Sequence, residues 1–207
     1  SDELITGLKE LANRHQVKLQ THACFSYQTH DASVSASGKA EIHALIKVAL
    51  IVCNNPKAGV IEIARQEQVP VLLLEKQAFF AGDCYLPALQ KAHIDWLILA
   101  GFLWKVPRQL TQAYPEKIVN IHPALLPKFG GKGMYGHHVH EAVIAAHEKE
   151  SGITIHFVDE AYDHGPAIFQ ARCPVTAEDT PTTLAAKITQ LEHAHYPNIV
   201  EQVILKH

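Results

Sequence analysis

Residues 117–136 read KIVNIHPALLPKFGGKGMYG, a β-branched apolar run that turns polar and then meets Pro123. Proline has no amide hydrogen and cannot continue a central strand, so a strand over 117–122 stops at its own polar residues. Side chains alternate along a strand, which places Asn120 and His122, at i and i+2, on one side of its carboxyl end. An amide and an imidazole side by side are two parts of a site. On these residues alone a strand end whose polar groups only satisfy loop backbone is the favoured reading, and a third residue is needed to change that.

Working upstream, strand and helix patterns alternate. Val48 to Cys53 (VALIVC) is a continuous apolar run ending at Asn54-Asn55-Pro56, the pattern of a parallel strand buried on both faces. A helix over 58–67, a strand over 69–74, a helix over 84–93, a strand over 96–100 ending at Gly101 and a helix around 107–114 lead to the strand at 117–122. This alternation predicts an α/β fold with a doubly wound, mostly parallel sheet. Downstream, a helix at about 138–148 precedes strands 152–158 and 167–175. The eight residues DEAYDHGP between those strands are too few for a crossover helix, so they predict an antiparallel hairpin. Thr180 with Pro181 opens a long C-terminal helix to about Leu205. At the other end, Leu4, Ile5, Leu8, Leu11 and Ala12 mark an amphipathic helix over 2–14. A strand-like run over 16–25 follows, then a polar stretch to Gly38.

In such sheets ligands bind at the carboxyl ends of the strands, where Asn120, His122, Gly101 and the 101–106 turn are collected. The hairpin turn carries Asp163 before His164-Gly165-Pro166 and is placed to fold over the same end. Asp163 is the candidate third residue, although an Asx turn would also place an Asp there.

With 207 residues, 47% hydrophobic and 19% charged, the chain suits one domain, with 1–46 its atypical segment. A net charge of −3 and a pI near 6.5 give no basic field for nucleic acid. Cys24, Cys53, Cys84 and Cys173 are scattered, without a CxxC pair, as in a reducing compartment. No apolar run approaches the roughly 18 residues of a membrane span and the first ten residues are charged, so a soluble cytoplasmic protein is expected. His137, His138 and His140 are the dense group among 15 histidines. They have neither a nearby Cys nor an HExxH pattern, and are read as solvated surface residues with no metal.

AGFLWKVP ending at Pro107, NIHPALLPKFGGKGMYG at 120–136, SGITIHFVDEAYDHGP at 151–166 and Glu192-His193 near Tyr196-Pro197 occur in this order. Together they resemble the 10-formyltetrahydrofolate-dependent formyltransferase family over about residues 47–205. The resemblance implies that Asn120, His122 and Asp163 are catalytic. It implies that Leu103, Trp104, Lys105, Val106, His156 and Val158 hold the folate's pterin, and that Pro123 and Glu192 contact the second substrate. The expected activity is transfer of the formyl group of 10-formyltetrahydrofolate to the amine of glycinamide ribonucleotide, in purine biosynthesis. Asp163 would keep His122 protonated. Expected partners are these small molecules, with no nucleic acid and no membrane, in a monomer or homodimer. The sequence departs from the family at its start, where the family runs from a first strand into a Gly-Ser-rich loop that holds the substrate phosphate at a helix N-terminus. The nearest fragment is Ser35-Ala36-Ser37-Gly38-Lys39-Ala40-Glu41, which makes Ser37 and Gly38 the candidate phosphate residues. Either strand 16–25 stands in for the first strand, or the phosphate site is altered. The alternative to an enzyme is a non-catalytic folate- or nucleotide-binding relative with a degenerate phosphate loop.

Overall fold

The computed structural model describes residues 24–30, 45–81 and 85–207. Among them, seven strands form one sheet: β1 (Cys24–His30), β2 (Leu45–Cys53), β3 (Val71–Leu73), β4 (Trp96–Leu99), β5 (Ile118–His122), β6 (Glu150–Phe157) and β7 (Ala167–Pro174). The helices are α1 (Gly59–Gln66), α2 (Lys76–Ala81), α3 (Leu86–Lys91), α4 (Arg108–Ala113), α5 (His137–Ala145) and α6 (Pro181–Lys206).

Spatial order in the sheet is β3-β2-β1-β4-β5-β6-β7. Strands β2 and β3 pair parallel, as do β4 and β5, whereas β1 and β6 run against their neighbours. The apolar runs bury both faces of the sheet, as central strands must. On one face Ile51, Trp96, Ile98, Val119 and Ile121 pack with Leu184, Ile188, Tyr196 and Val200 of α6 and Val60 of α1. On the other, Val52, Leu97, Leu99 and Ile118 pack with Phe79 of α2, Leu89 of α3 and Leu110 of α4. Consecutive residues of one strand thus enter different cores, which explains why VALIVC and WLIL show no polar alternation.

The long helix starts where the sequence says it should. Thr180 accepts a hydrogen bond from the amide of Thr183, whose hydroxyl accepts one from the amide of Thr180 in return. Near its other end, the buried Tyr196 hydroxyl donates to the Leu99 carbonyl at 2.7 Å and lies 3.2 Å from that of Val119, tying α6 to the two strands that lead into the site.

The structure corrects two expectations. Residues 76–81, unassigned from sequence, form α2, because Phe79 faces inward against Phe102 and Trp104. The segment after residue 25, expected to be a polar loop, is strand through His30, where Phe25, Tyr27 and Thr29 alternate as strand formers. It fills the slot between β2 and β4, but in the reverse direction: Cys24 lies opposite Leu99 and Val52, and His30 opposite Leu45. The expected helix over 2–14 and the candidate residues Ser37 and Gly38 lie outside the described residues, as does Cys84 at the start of the expected helix 84–93.

Candidate active site

Strand β5 ends at His122 and pairs antiparallel with β6, so Asn120 faces His156 and His122 faces Thr154 across the ladder. Beyond the strand, the chain is held by one buried hydroxyl. Thr154 Oγ1 donates to the Ala124 carbonyl at 2.7 Å and accepts from the Leu126 amide at 3.0 Å and from Gln170 Nε2 at 2.9 Å. Gln170 Nε2 also reaches the Leu126 carbonyl. This clamp fixes residues 123–126 against β6 and β7, and with them the polar end of β5.

The hairpin turn does fold back over this end. Asp163 adopts a left-handed conformation (φ 56°), which a short polar side chain tolerates, and its Oδ2 accepts a 2.8 Å hydrogen bond from the Gly131 amide. Glycines allow that approach. A Cβ on Gly130 would lie 2.5 Å from Leu126 Cδ2 and 3.3 Å from Asp163 Cβ, and one on Gly165 would lie 1.9 Å from the Phe157 carbonyl oxygen.

The two histidines have assignable tautomers. His156 Nδ1 lies 2.8 Å from the Phe157 carbonyl oxygen and must donate to it, which leaves Nε2 as acceptor for Asn120 Nδ2 at 3.1 Å. The Asn120 amide is thereby oriented, with one N–H engaged and the second available to the cavity. His122 Nε2 lies 2.8 Å from the Phe129 carbonyl oxygen and donates to it. In the neutral ring the lone pair then sits on Nδ1, 3.6 Å from Asp163 Oδ2. Asp163 Oδ1 is also 3.7 Å from His156 Nε2.

Burial lowers the pKa of His122; the Asp163 carboxylate and the Phe129 carbonyl oppose this without overcoming it. The expectation that Asp163 keeps His122 protonated is therefore corrected, because desolvation outweighs the charge pair. His156 is lowered for the same first reason, against the Phe157 carbonyl and Asp163. Burial also pushes the half-buried Glu192 up to about 7.

Around these residues lies a cavity of about 680 Å³. It brings together Asn120, His122, Pro123, His156, Asp163 and Glu192 with Leu103, Trp104, Lys105, Val106 and Val158. Every candidate within the described residues therefore reaches one cavity. The 102–106 wall is braced from behind, with Trp104 5.6 Å from Phe79 and 5.8 Å from Phe80 between ring centroids, and Lys105 Nζ sits 5.7 Å from the centre of the Tyr162 ring. His156 is 1% exposed with both ring nitrogens engaged, so it orients Asn120 as well as lining the wall.

One residue escapes the sequence reading. His137 and His138 are exposed, as read from sequence, and lie beside Glu141, but His140, also read as a solvated surface residue, is 6% exposed and lines the cavity. The signal was its spacing: residues 139, 140 and 143 share the inward side of a helix that packs on α6. Among the described residues no group of His, Cys, Asp or Glu is arranged to hold a metal ion, and no helix is long and apolar enough to cross a membrane.

The model of the formyl transferase family matches residues 22–200. The chain belongs to that family. Among relatives, it is 44% identical over 158 residues to the chloroplastic phosphoribosylglycinamide formyltransferase of Arabidopsis thaliana, covering 74% of this chain and 54% of the relative. With the phosphoribosylglycinamide formyltransferase of Bacillus subtilis it shares 36% over 160 residues, 75% of this chain and 80% of the relative. The crystal structure of the same-named protein from Bacillus halodurans superposes with a TM-score of 0.69 at 37% identity, over 76% of this chain and 80% of that one. A formyltetrahydrofolate deformylase from Pseudomonas syringae, at 21% identity and TM-score 0.66, covers 75% of this chain and 51% of its own and shows a shared fold alone. This formyl transferase chain spans about half the length, 54%, of the two plant relatives it matches.

Proposed function

We propose that the protein transfers the formyl group of 10-formyltetrahydrofolate to the amine of glycinamide ribonucleotide. The observation that carries this reading is the convergence of Asn120, His122 and Asp163, with His156 fixing Asn120, in one cavity. The apolar lining of Leu103, Val106 and Val158, with Trp104, suits a flat heterocycle, and Glu192 lines the same cavity.

The folate co-substrate supplies an already activated formyl group, so the protein has to position it, stabilise charge and move one proton. Asn120 Nδ2 keeps one N–H for the formyl oxygen as negative charge develops there, held in advance by His156. Neutral His122 presents its Nδ1 lone pair to take a proton from the attacking amine. The imidazolium so formed lies beside the Asp163 carboxylate, 3.6 Å away, and returns the proton to the departing nitrogen. The new C–N bond thus replaces the old one with no net change in protons. Asp163 Oδ2 is meanwhile held by the Gly131 amide, which keeps it in place without neutralising it.

Purified protein given both substrates should form the formylated amide at a rate that Asn120→Ala reduces strongly. Tight folate binding without product would point to the binding protein instead.

A further inference from the structure

We infer that Glu160 is a positioning residue, which straps the hairpin turn to α4 through Arg108 and Gln112 and so sets where Asp163 lies against His122. This rests on the proposed transfer reaction and adds to it a contact outside the reacting groups.

The turn between β6 and β7 is tied down at its base. The Phe157 amide donates to the Pro166 carbonyl at 3.0 Å and the Val158 amide to the Ile118 carbonyl at 2.8 Å, which closes the hairpin and joins it to β5. Within the turn, Asp159 Oδ1 accepts from the Ala161 amide at 2.8 Å, an Asx turn. That bond orders the turn's own residues but does not fix them against the cavity. Contacts to other segments do. Asp163 takes the Gly131 amide on one side. On the other, Glu160 Oε1 lies 3.0 Å from Arg108 Nε and accepts from Gln112 Nε2 at 3.2 Å. Arg108 and Gln112 are four residues apart on α4 and hence on one face, so a single carboxylate meets both. Tyr162 adds to the same side, with Lys105 Nζ 5.7 Å from the centre of its ring.

The strap joins two segments that line the cavity. Val106 leads through Pro107 into α4, and Val158 leads into the turn. Holding α4 and the turn together therefore constrains the spacing of the apolar lining as well as the place of Asp163. Its strength suits that task. The Arg108 and Glu160 side chains are 71% and 53% exposed, and an ion pair so exposed shifts an equilibrium by about twofold to fivefold at most. Such a contact biases the turn toward the closed cavity and still lets it open for ligands to enter and leave. Asp163 Oδ2 is 3.6 Å from His122 Nδ1, beyond hydrogen-bond length, so a small displacement of the turn changes their interaction. Among the titratable groups that His122 interacts with, Asp163 is carried by the turn, whereas His140 belongs to α5 and His156 to β6. The pKa of His122 thus reports where the turn sits.

The test compares wild type, Arg108→Ala, Glu160→Ala, the double variant and the swapped pair Arg108→Glu with Glu160→Arg, by fluorescence titration of a folate analogue and NMR titration of His122. Each single substitution should weaken the analogue about twofold to fivefold, the reach of an exposed ion pair. Each should also lower the His122 pKa toward its value in Asp163→Asn, because the carboxylate that raises it moves away. Direct charge effects would instead move that pKa up in Arg108→Ala and down in Glu160→Ala. The double variant should be no worse than either single, and the swapped pair should recover both affinity and pKa. An unchanged His122 pKa in the single variants, or shifts of opposite sign, overturns the strap. So do additive losses of affinity with no recovery in the swapped pair, which would make Arg108 a direct folate contact. Neither readout needs turnover, so coupled losses in a protein that transfers no formyl group would keep the strap and remove the proposed reaction.

Discussion

In the proposed reaction Asn120 carries the oxyanion, and His156 holds its amide in place before substrate arrives. Asn120→Ala should fold normally and lose about 10² to 10³ in turnover, the cost of removing one such donor. Circular dichroism and steady-state kinetics on the same preparation check both halves. Asp163→Asn keeps the side-chain shape but removes the carboxylate that raises the pKa of His122, so that pKa falls further below its ordinary value. The acid limb of the rate profile should then move to lower pH while its height drops, and His122 titrated by NMR in both proteins reports the shift directly. An unchanged His122 pKa would leave Asp163 as a turn residue. That Asn120 and His122 share one side of the strand end was legible from strand alternation and Pro123, and that Asp163 sits in a hairpin turn from the length of the connection, but their roles came only from the family resemblance. The charge state of His122 was not legible, because it depends on burial that only the assembled sheet creates. Nor was the role of His156, which needs the cross-strand register that puts it opposite Asn120.

At the level of elements, the site depends on close contacts between backbones. Gly165→Ala would drive a methyl into the Phe157 carbonyl, so the turn carrying Asp163 has to move. Turnover should fall together with thermal stability, and removing Asp163 as well should cost little more, a non-additivity that a double-mutant cycle measures. Thr154→Val leaves the Ala124 carbonyl and the Leu126 amide without their shared partner inside the protein. Its expected cost is about 1 to 3 kcal/mol per group left unsatisfied, read by denaturant unfolding. Apart from α2, the elements from β2 onward were readable because continuous apolar runs and the Thr180-Pro181 start leave little choice. Strand β1 was not, since CFSYQTH is polar at half its positions and gains its place by pairing with β2 and β4 on both edges. Short α2 was missed because six residues carry too little periodicity to separate from a loop.

For the whole molecule, the buried histidines and Glu192 act on stability in opposite directions. His122, His140 and His156 have folded pKa values below the ordinary 6.5, so the unfolded chain binds protons more readily and stability falls as pH drops below 6.5. Glu192 is raised from 4.5 to about 7, so its contribution is present below 4.5 and is lost as pH rises to about 7. Glu192→Gln should therefore leave the melting temperature nearly unchanged at pH 4 and raise it at pH 8, which calorimetry at the two pH values resolves. Architecture was legible at this scale because parallel strands must be buried on both faces, whereas the start of the chain follows no such rule. The central claim is that this cavity passes a formyl group to an amine. Its most direct measurement is carbon-13 NMR of the reaction of wild-type protein with 10-formyltetrahydrofolate labelled in the formyl carbon and with glycinamide ribonucleotide. The label should move into the new amide in step with folate release; label that stays on the folate, or emerges as free formate, would contradict the account.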